Sequence, residues 1–201
     1  MKTIFIAATV ATVLCAPLAQ AQNRGFEGFS LGLNVNSATV SNEFTAGGTQ
    51  VKFGETSPNS SFQAAFGLPA IGIFNLGFGL TYALSELKAG TSTVGGINYE
   101  LKEKDAYSIY IEPGFSIADS TIVYGKLAHL GMRGETRLPA GSILGEDYFG
   151  LGYGIGVRAL AGKNWFLQGE VLQNNYNERS SNGLIIKPSS TVGTIGVGYK
   201  F

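Results

Sequence analysis

Apolar side chains recur at every second position over much of this chain, the spacing that puts successive residues on opposite faces of a β-strand. Residues 148–162 show it most clearly. Phe149, Leu151, Tyr153, Ile155, Val157 and Ala159 fall on one face, and Gly150, Gly152, Gly154, Gly156 and Arg158 on the other. Leu76, Phe78, Leu80, Tyr82 and Leu84 alternate in the same way with Gly77, Gly79, Thr81, Ala83 and Ser85. Phe62, Ala64, Phe66 and Leu68 oppose Gln63, Ala65 and Gly67; Tyr107, Ile109, Ile111, Pro113 and Phe115 oppose Ser108, Tyr110, Glu112, Gly114 and Ser116. Phe29, Leu31, Leu33 and Val35 open the series, and Trp165, Leu167, Gly169 and Val171 add another strand. Ile195, Val197, Tyr199 and Phe201 close it. Residues 123–130 make the eighth strand, but both of its faces carry apolar residues, so its facing stays open.

The connections alternate in length. Long polar stretches at 39–60, 86–104, 133–147 and 174–190 alternate with short ones at 69–74, 117–121 and 161–164. This rhythm predicts an all-β fold, an eight-stranded antiparallel up-and-down barrel. Long loops at one end and tight turns at the other are the transmembrane, outer-membrane form of it. A soluble barrel of lipocalin type would point its apolar face inward and present Lys, Glu and Thr to water. Here the other face is Gly, Ala, Ser and a few isolated charges, which suits a narrow crowded interior better than a solvated surface. Residues 60–85 carry no charge and are long enough for a transmembrane helix. Pro69, four glycines and the period of two fit two strands and a turn instead.

The first residues stand apart from this pattern. Met1-Lys2, the uncharged run at 3–18 and Ala19-Gln20-Ala21 form the three parts of a secretory signal peptide. Residues 1–21 are therefore expected to be a cleaved signal peptide and 22–201 the barrel domain. Cys15 is the sole cysteine, and Leu14 before it departs from a lipoprotein signal. The mature chain is then expected to hold no disulfide, thiol nucleophile or cysteine metal site. Losing Lys2 turns 14 basic and 14 acidic residues into an excess of one acid. That balance gives no reason to expect a nucleic-acid partner. The 29 glycines lack a collagen period, and the 13 Phe and 9 Tyr argue against disorder.

Tyr124-Gly125-Lys126-Leu127, Gly152-Tyr153-Gly154-Ile155-Gly156-Val157-Arg158 and Gly196-Val197-Gly198-Tyr199-Lys200-Phe201 resemble segments of the OmpA-like transmembrane-domain family of small outer-membrane barrels, with OmpX- and opacity-type relatives. Nothing follows Phe201, so the resemblance leaves out the OmpA periplasmic domain. A terminal Phe201 behind Tyr199, Val197 and Ile195 resembles the C-terminal signature that such barrels present to their insertion machinery.

Mid-strand charges form the second candidate feature. Glu112 and Arg158 lie on the glycine-rich face; Glu170 joins them if Leu167 and Val171 face lipid, and Lys126 does if Val123 and Leu127 face out. Two acids and two bases in a dry interior require pairing. The family resemblance implies an interior Glu/Arg/Lys/Glu cluster, which is a structural plug or a gate. An eight-stranded interior is just wide enough to be filled by side chains.

Chemistry is less well supported. His129 is the only histidine, with no serine two positions on and no second histidine for a metal. It reads as an interfacial residue near a strand end rather than the centre of a lipid A-modifying enzyme. Tyr82, Tyr107, Tyr148, Phe149 and Trp165 suit aromatic girdles at the lipid–water boundaries. The alternating charges at 102–105 and at Arg133, Glu135 and Arg137 read as solvated loop or lipopolysaccharide contacts. The expected function is a monomeric, non-catalytic outer-membrane protein without cofactors. Its expected partners are outer-membrane lipid and lipopolysaccharide, the export apparatus and the insertion machinery. A narrow porin-like channel for small solutes is the alternative.

Overall fold

A computed structural model describes residues 25–46, 49–94, 97–137, 143–181 and 184–201. The expected leader, with Cys15, lies outside the described residues. The chain forms β1 (Gly28–Ala46), β2 (Thr49–Phe53), β3 (Thr56–Gly67), β4 (Phe74–Ala83), β5 (Leu87–Val94) and β6 (Ile97–Ala118). It continues through β7 (Thr121–Arg137), β8 (Ile143–Ala161), β9 (Trp165–Tyr176), β10 (Arg179–Ser181) and β11 (Leu184–Lys200).

Eight of these strands close a ring in the order β1-β3-β4-β6-β7-β8-β9-β11, with β11 returning to pair with β1. Every pairing is antiparallel between strands consecutive along the barrel wall, so the topology is up-and-down. Closure leaves no unpaired edge through the middle of the wall. The outward positions are apolar: Leu33, Val35, Phe78, Leu80, Ile109, Ile111, Leu151, Ile155, Leu167 and Ile195 are all exposed. In β7, Val123 and Leu127 point out while Tyr124, Lys126, Ala128 and Leu130 are buried inside, which fixes the facing the alternation left open.

The long polar stretches are not loops over most of their length. β1 and β11 pair without a break up to Ala46↔Leu184 and β7 and β8 up to Arg137↔Ile143, while β6 and β7 pair, past one bulge, up to Glu100↔Arg137. β2, β5 and β10 add short partners to these upper segments. The barrel wall therefore rises past its apolar band as a polar sheet. Backbone pairing continues there without the apolar alternation that only a one-sided apolar environment imposes.

Glycine makes the interior possible. A Cβ at Gly79 would meet the Tyr110 ring, one at Gly156 the Tyr124 ring, and one at Gly198 the Phe166 ring. Large interior side chains thus lie flat against bare backbone on the facing strands. Above them Ala128, Leu130, Met132, Tyr148 and Tyr176 pack with Tyr110 into an apolar cluster. A second cluster, Ala38, Val40, Leu87 and Ala89, fills the raised part of the wall. Tyr148 was expected in an outer aromatic girdle. It is buried in the lumen instead, because strict alternation in β8 sends it opposite to exposed Phe149.

A bulge reorients one more residue. Lys104 pairs with Arg133 but Tyr107 pairs with Gly131, so β6 carries one extra residue there, with Asp105 at φ 49°. Asp tolerates this left-handed conformation better than most residues. The slip turns Glu103 into the lumen and Lys104 out to water. Glu103 is buried, which corrects its reading as part of a solvated loop.

Candidate functional site

The lumen gathers its polar side chains at the height where β6, β7, β8 and β9 present Glu112, Lys126, Arg158 and Glu170. All four are buried. Arg158 Nη2 donates to Glu112 Oε2 at 3.0 Å, and Lys126 Nζ lies 3.2 Å from Glu112 Oε1. Lys126 also pairs with Glu170 Oε2, to which the Tyr124 hydroxyl donates at 3.3 Å. The two bases lie over aromatic faces: Lys126 Nζ is 4.1 Å from the Tyr110 ring centroid, and the Arg158 guanidinium is 5.0 Å from Tyr124 and 5.1 Å from Phe166. The set is neutral as a whole, and its cations find both carboxylate and π partners.

A neutral network, not singled out by the sequence, extends the cluster across the barrel. Arg158 Nε donates to Gln168 Oε1 at 3.1 Å, and Gln168 Nε2 donates to Asn34 Oδ1 at 2.9 Å and to Gln63 Oε1 at 2.5 Å. Gln63 Nε2 donates to the Tyr110 hydroxyl at 2.8 Å. Asn36 Nδ2 donates to Ser61 Oγ at 3.2 Å, and Asn36 Oδ1 accepts from Thr194 Oγ1 at 2.9 Å. The sequence signal was present, since these residues occupy the glycine-rich positions of their strands.

At the short-turn end a recess of about 30 Å³, lined in part by Phe26, Ser30, Asn75, Glu112 and Arg158, reaches the edge of the cluster. Beyond it the lumen is filled first by the charges and then by the apolar cluster around Met132 and Tyr176.

The other sequence candidates lie on the outer wall. Ile195, Val197 and Phe201 are exposed, and Tyr199 packs edge-on against both Trp165 and Phe201 at 5.2 and 5.1 Å between ring centroids. Phe201 N–H donates to Phe29 O at 2.9 Å, so the last residue is held in the closing seam. His129 points outward between Ile109 and Leu151 in the register and stacks on Phe149 at 6.2 Å and 11°. Among the described residues no serine or carboxylate hydrogen-bonds it, and no cluster of three or more His, Cys, Asp or Glu could hold a metal ion.

In keeping with a closed eight-strand ring, apolar outside and polar in its core, the sequence at residues 6–201 matches the family described as outer membrane protein beta-barrel domain. The chain belongs to that family. This places the barrel in the bacterial outer membrane. Among solved structures, it resembles Neisserial surface protein A (NspA), at 16% identity and TM-score 0.55 over 87% of this chain and 98% of that one. The outer membrane protein OprG of Pseudomonas aeruginosa is similar at 14% identity and TM-score 0.55, covering 89% and 98%. Identities this low carry the fold alone. No curated protein matches the sequence.

In this outer-membrane barrel the outward apolar band faces lipid. In β6 it runs from Phe115 to Tyr107, in keeping with the roughly 9–11 residues a tilted strand needs to cross. Aromatic residues mark both limits. Phe29, Phe66, Phe74, Phe115 and Trp165 stand near the short-turn end, and Tyr82, Tyr107 and Phe149 near the other. Tight turns lie on the periplasmic side in such barrels, so the raised polar sheet stands outside the cell.

Proposed function

We propose that this outer-membrane barrel is a closed, non-catalytic wall protein that presents its raised polar hairpins to lipopolysaccharide and neighbouring surfaces. The observation that carries this reading is the filled lumen. Glu112, Lys126, Arg158 and Glu170 tie β6, β7, β8 and β9 together across the lumen, and an apolar layer seals the space above them. A water-filled pore needs a polar path through that layer.

The outward face of the raised sheet supports the contact role. Lys104 pairs with Glu86 and Glu135 at 2.9 Å each, and Arg133 lies 3.8 Å from Asp147 on the next strand. These side chains are partly exposed, so they offer a mixed-charge surface at the height of lipid headgroups. On this reading the chain is exported with cleavage after Ala21. The outward row Ile195, Val197, Tyr199 and Phe201 serves as its insertion signature.

Planar-bilayer recording tests the proposal. The expected result is no reproducible conductance from the intact protein. Steady single-channel steps altered by Arg158→Ala would replace it with the narrow-channel reading, in which the four charges act as a gate. Mass spectrometry of lipid A from cells with and without the protein is expected to show one acyl pattern. A changed pattern would overturn the non-catalytic assignment.

A further inference from the structure

We propose that the turn joining β3 to β4 enters the periplasmic leaflet of the bilayer and anchors one side of the barrel in it. The turn carries Leu68, Pro69, Ala70, Ile71, Gly72 and Ile73. Ile71 is 81% exposed and Ile73 65%, and Ile71 is the most exposed large apolar side chain among the described residues.

This exposure is built in. Ile71 and Phe74 exchange backbone hydrogen bonds at 3.0 and 3.1 Å around Gly72, whose φ of 64° suits a two-residue turn. Ile73 O accepts from Ser116 N–H at 2.8 Å and from Asn75 Nδ2 at 3.1 Å. Leu68 N–H donates to Leu76 O at 2.9 Å, and Ala70 N–H donates to Glu27 Oε1 at 3.0 Å. A turn pinned in this way cannot fold its isoleucines back onto the barrel. The same bonds satisfy backbone donors that a low-dielectric medium would leave costly.

Lipid is the occupant that the surroundings favour. Ile71 shares a face with Phe74, which packs edge-on with Phe115 at 5.5 Å, so the patch continues the lipid-facing band past the strand ends. No charged residue occurs between Glu55 and Glu86, and the charge the fold brings to the turn, the Glu27 carboxylate, is bound at Ala70 N–H, behind Ile71 and Ile73 in the chain. The other two short turns differ. They carry Asp119-Ser120 and Gly162-Lys163-Asn164, whose charges hold them in water. The anchor is thus one-sided, and it sets the β3–β4 side of the barrel deeper than the opposite wall.

The test places an environment-sensitive NBD probe on single cysteines at Ile71→Cys, Ile73→Cys and Ser120→Cys in the Cys15→Ser full chain. The proteins are refolded into phosphatidylethanolamine–phosphatidylglycerol vesicles with and without brominated acyl chains. Heat-modifiable migration checks that each labelled barrel is folded. The expected result is blue-shifted emission at 71 and 73, quenched several-fold more strongly by brominated lipid than at 120. Water-like emission at all three sites overturns the proposal. So does a blue shift that brominated lipid leaves unquenched and that vanishes on tenfold dilution of protein in lipid, because that result assigns the patch to a second copy of the chain.

Discussion

Arg158 donates to Glu112 across an intervening strand, at 3.0 Å from β8 to β6 with β7 between them. Sheet hydrogen bonds join only neighbours, so this contact spans a chord of the barrel that the backbone cannot. Tyr124 of β7 and Glu170 of β9 are related in the same way. Gln168 of β9 reaches Gln63 of β3 past both β11 and β1. The polar core holds the barrel's cross-section, while the backbone ladder holds its circumference.

Breaking one member of this core is expected to cost more than removing a balanced pair. Arg158→Ala leaves Glu112 with Lys126 alone in a dry lumen, and a loss of about 3–5 kcal/mol is expected for such an uncompensated charge. Arg158→Met combined with Glu112→Leu leaves Lys126 and Glu170 balanced and should cost less than the sum of the two single changes. Urea unfolding in lipid vesicles for the four corners of this cycle measures the coupling. Additive losses would show that the pair does not act as a unit.

Packing against bare backbone makes a second expectation. Gly156→Val places a side chain where the Tyr124 ring lies, and such overpacking costs roughly 1–3 kcal/mol. Gly169→Val is the control, because the nearest atom to a Cβ there is Val157 Cγ1 at 4.0 Å. Denaturant midpoints should fall for the first variant and barely move for the second. Equal shifts would mean that glycine serves the strands for some other reason than room.

The difference between what the sequence revealed and what it hid follows from where each face of the wall lies. Within the bilayer one face meets lipid, so Phe78, Leu80 and Leu151 alternate visibly with small residues and all eight strands are legible. Residues 123–130 read ambiguously because Ala128 and Leu130 line an apolar part of the lumen itself. Above the bilayer the outward face meets water, and the apolar positions that remain, such as Leu87 and Ala89 of β5 beside Ala38 and Val40, are too few to mark β2, β5 and β10 as strands. The bulge at residues 104–107 is invisible for another reason. It depends on how β6 registers with β7, and a single extra residue reverses the facing of Glu103 and Lys104.

The C-terminal row permits a test that separates assembly from stability. Phe201 is exposed and touches Tyr199 and Phe29 only at ring distances of 5.1 and 5.8 Å. Phe201→Ala should therefore change unfolding in vesicles by less than about 1 kcal/mol, as for most exposed positions. If the row is read by the insertion machinery, the amount of folded protein in isolated outer membranes should fall several-fold. Unchanged membrane levels would remove that role from Phe201.

Glu103 makes the raised wall sensitive to pH. Burial pushes its carboxyl up from 4.5 to about 7, and among the described residues no cation pairs with it. Leu87 of β5 and Gly134 of β7 pair with it in the sheet, and Met132, Tyr148 and Tyr176 face the lumen from β7, β8 and β9. Lys102 and Lys104, on its own strand, point outward to Glu86, and Glu146 and Arg179 stand at the exposed rim. The folded state keeps a proton between pH 4.5 and 7 that the unfolded chain has released, so stability falls as pH rises through this window and levels off above it. A shift of that size corresponds to about 3 kcal/mol. Glu103→Gln should remove this slope and leave the protein more stable than the parent at pH 8. Hydrogen exchange of the β5 and β6 amides between pH 5 and 8, corrected for intrinsic rates, measures it where it acts. Parallel profiles for the parent and Glu103→Gln would show that the buried carboxyl does not govern the raised wall.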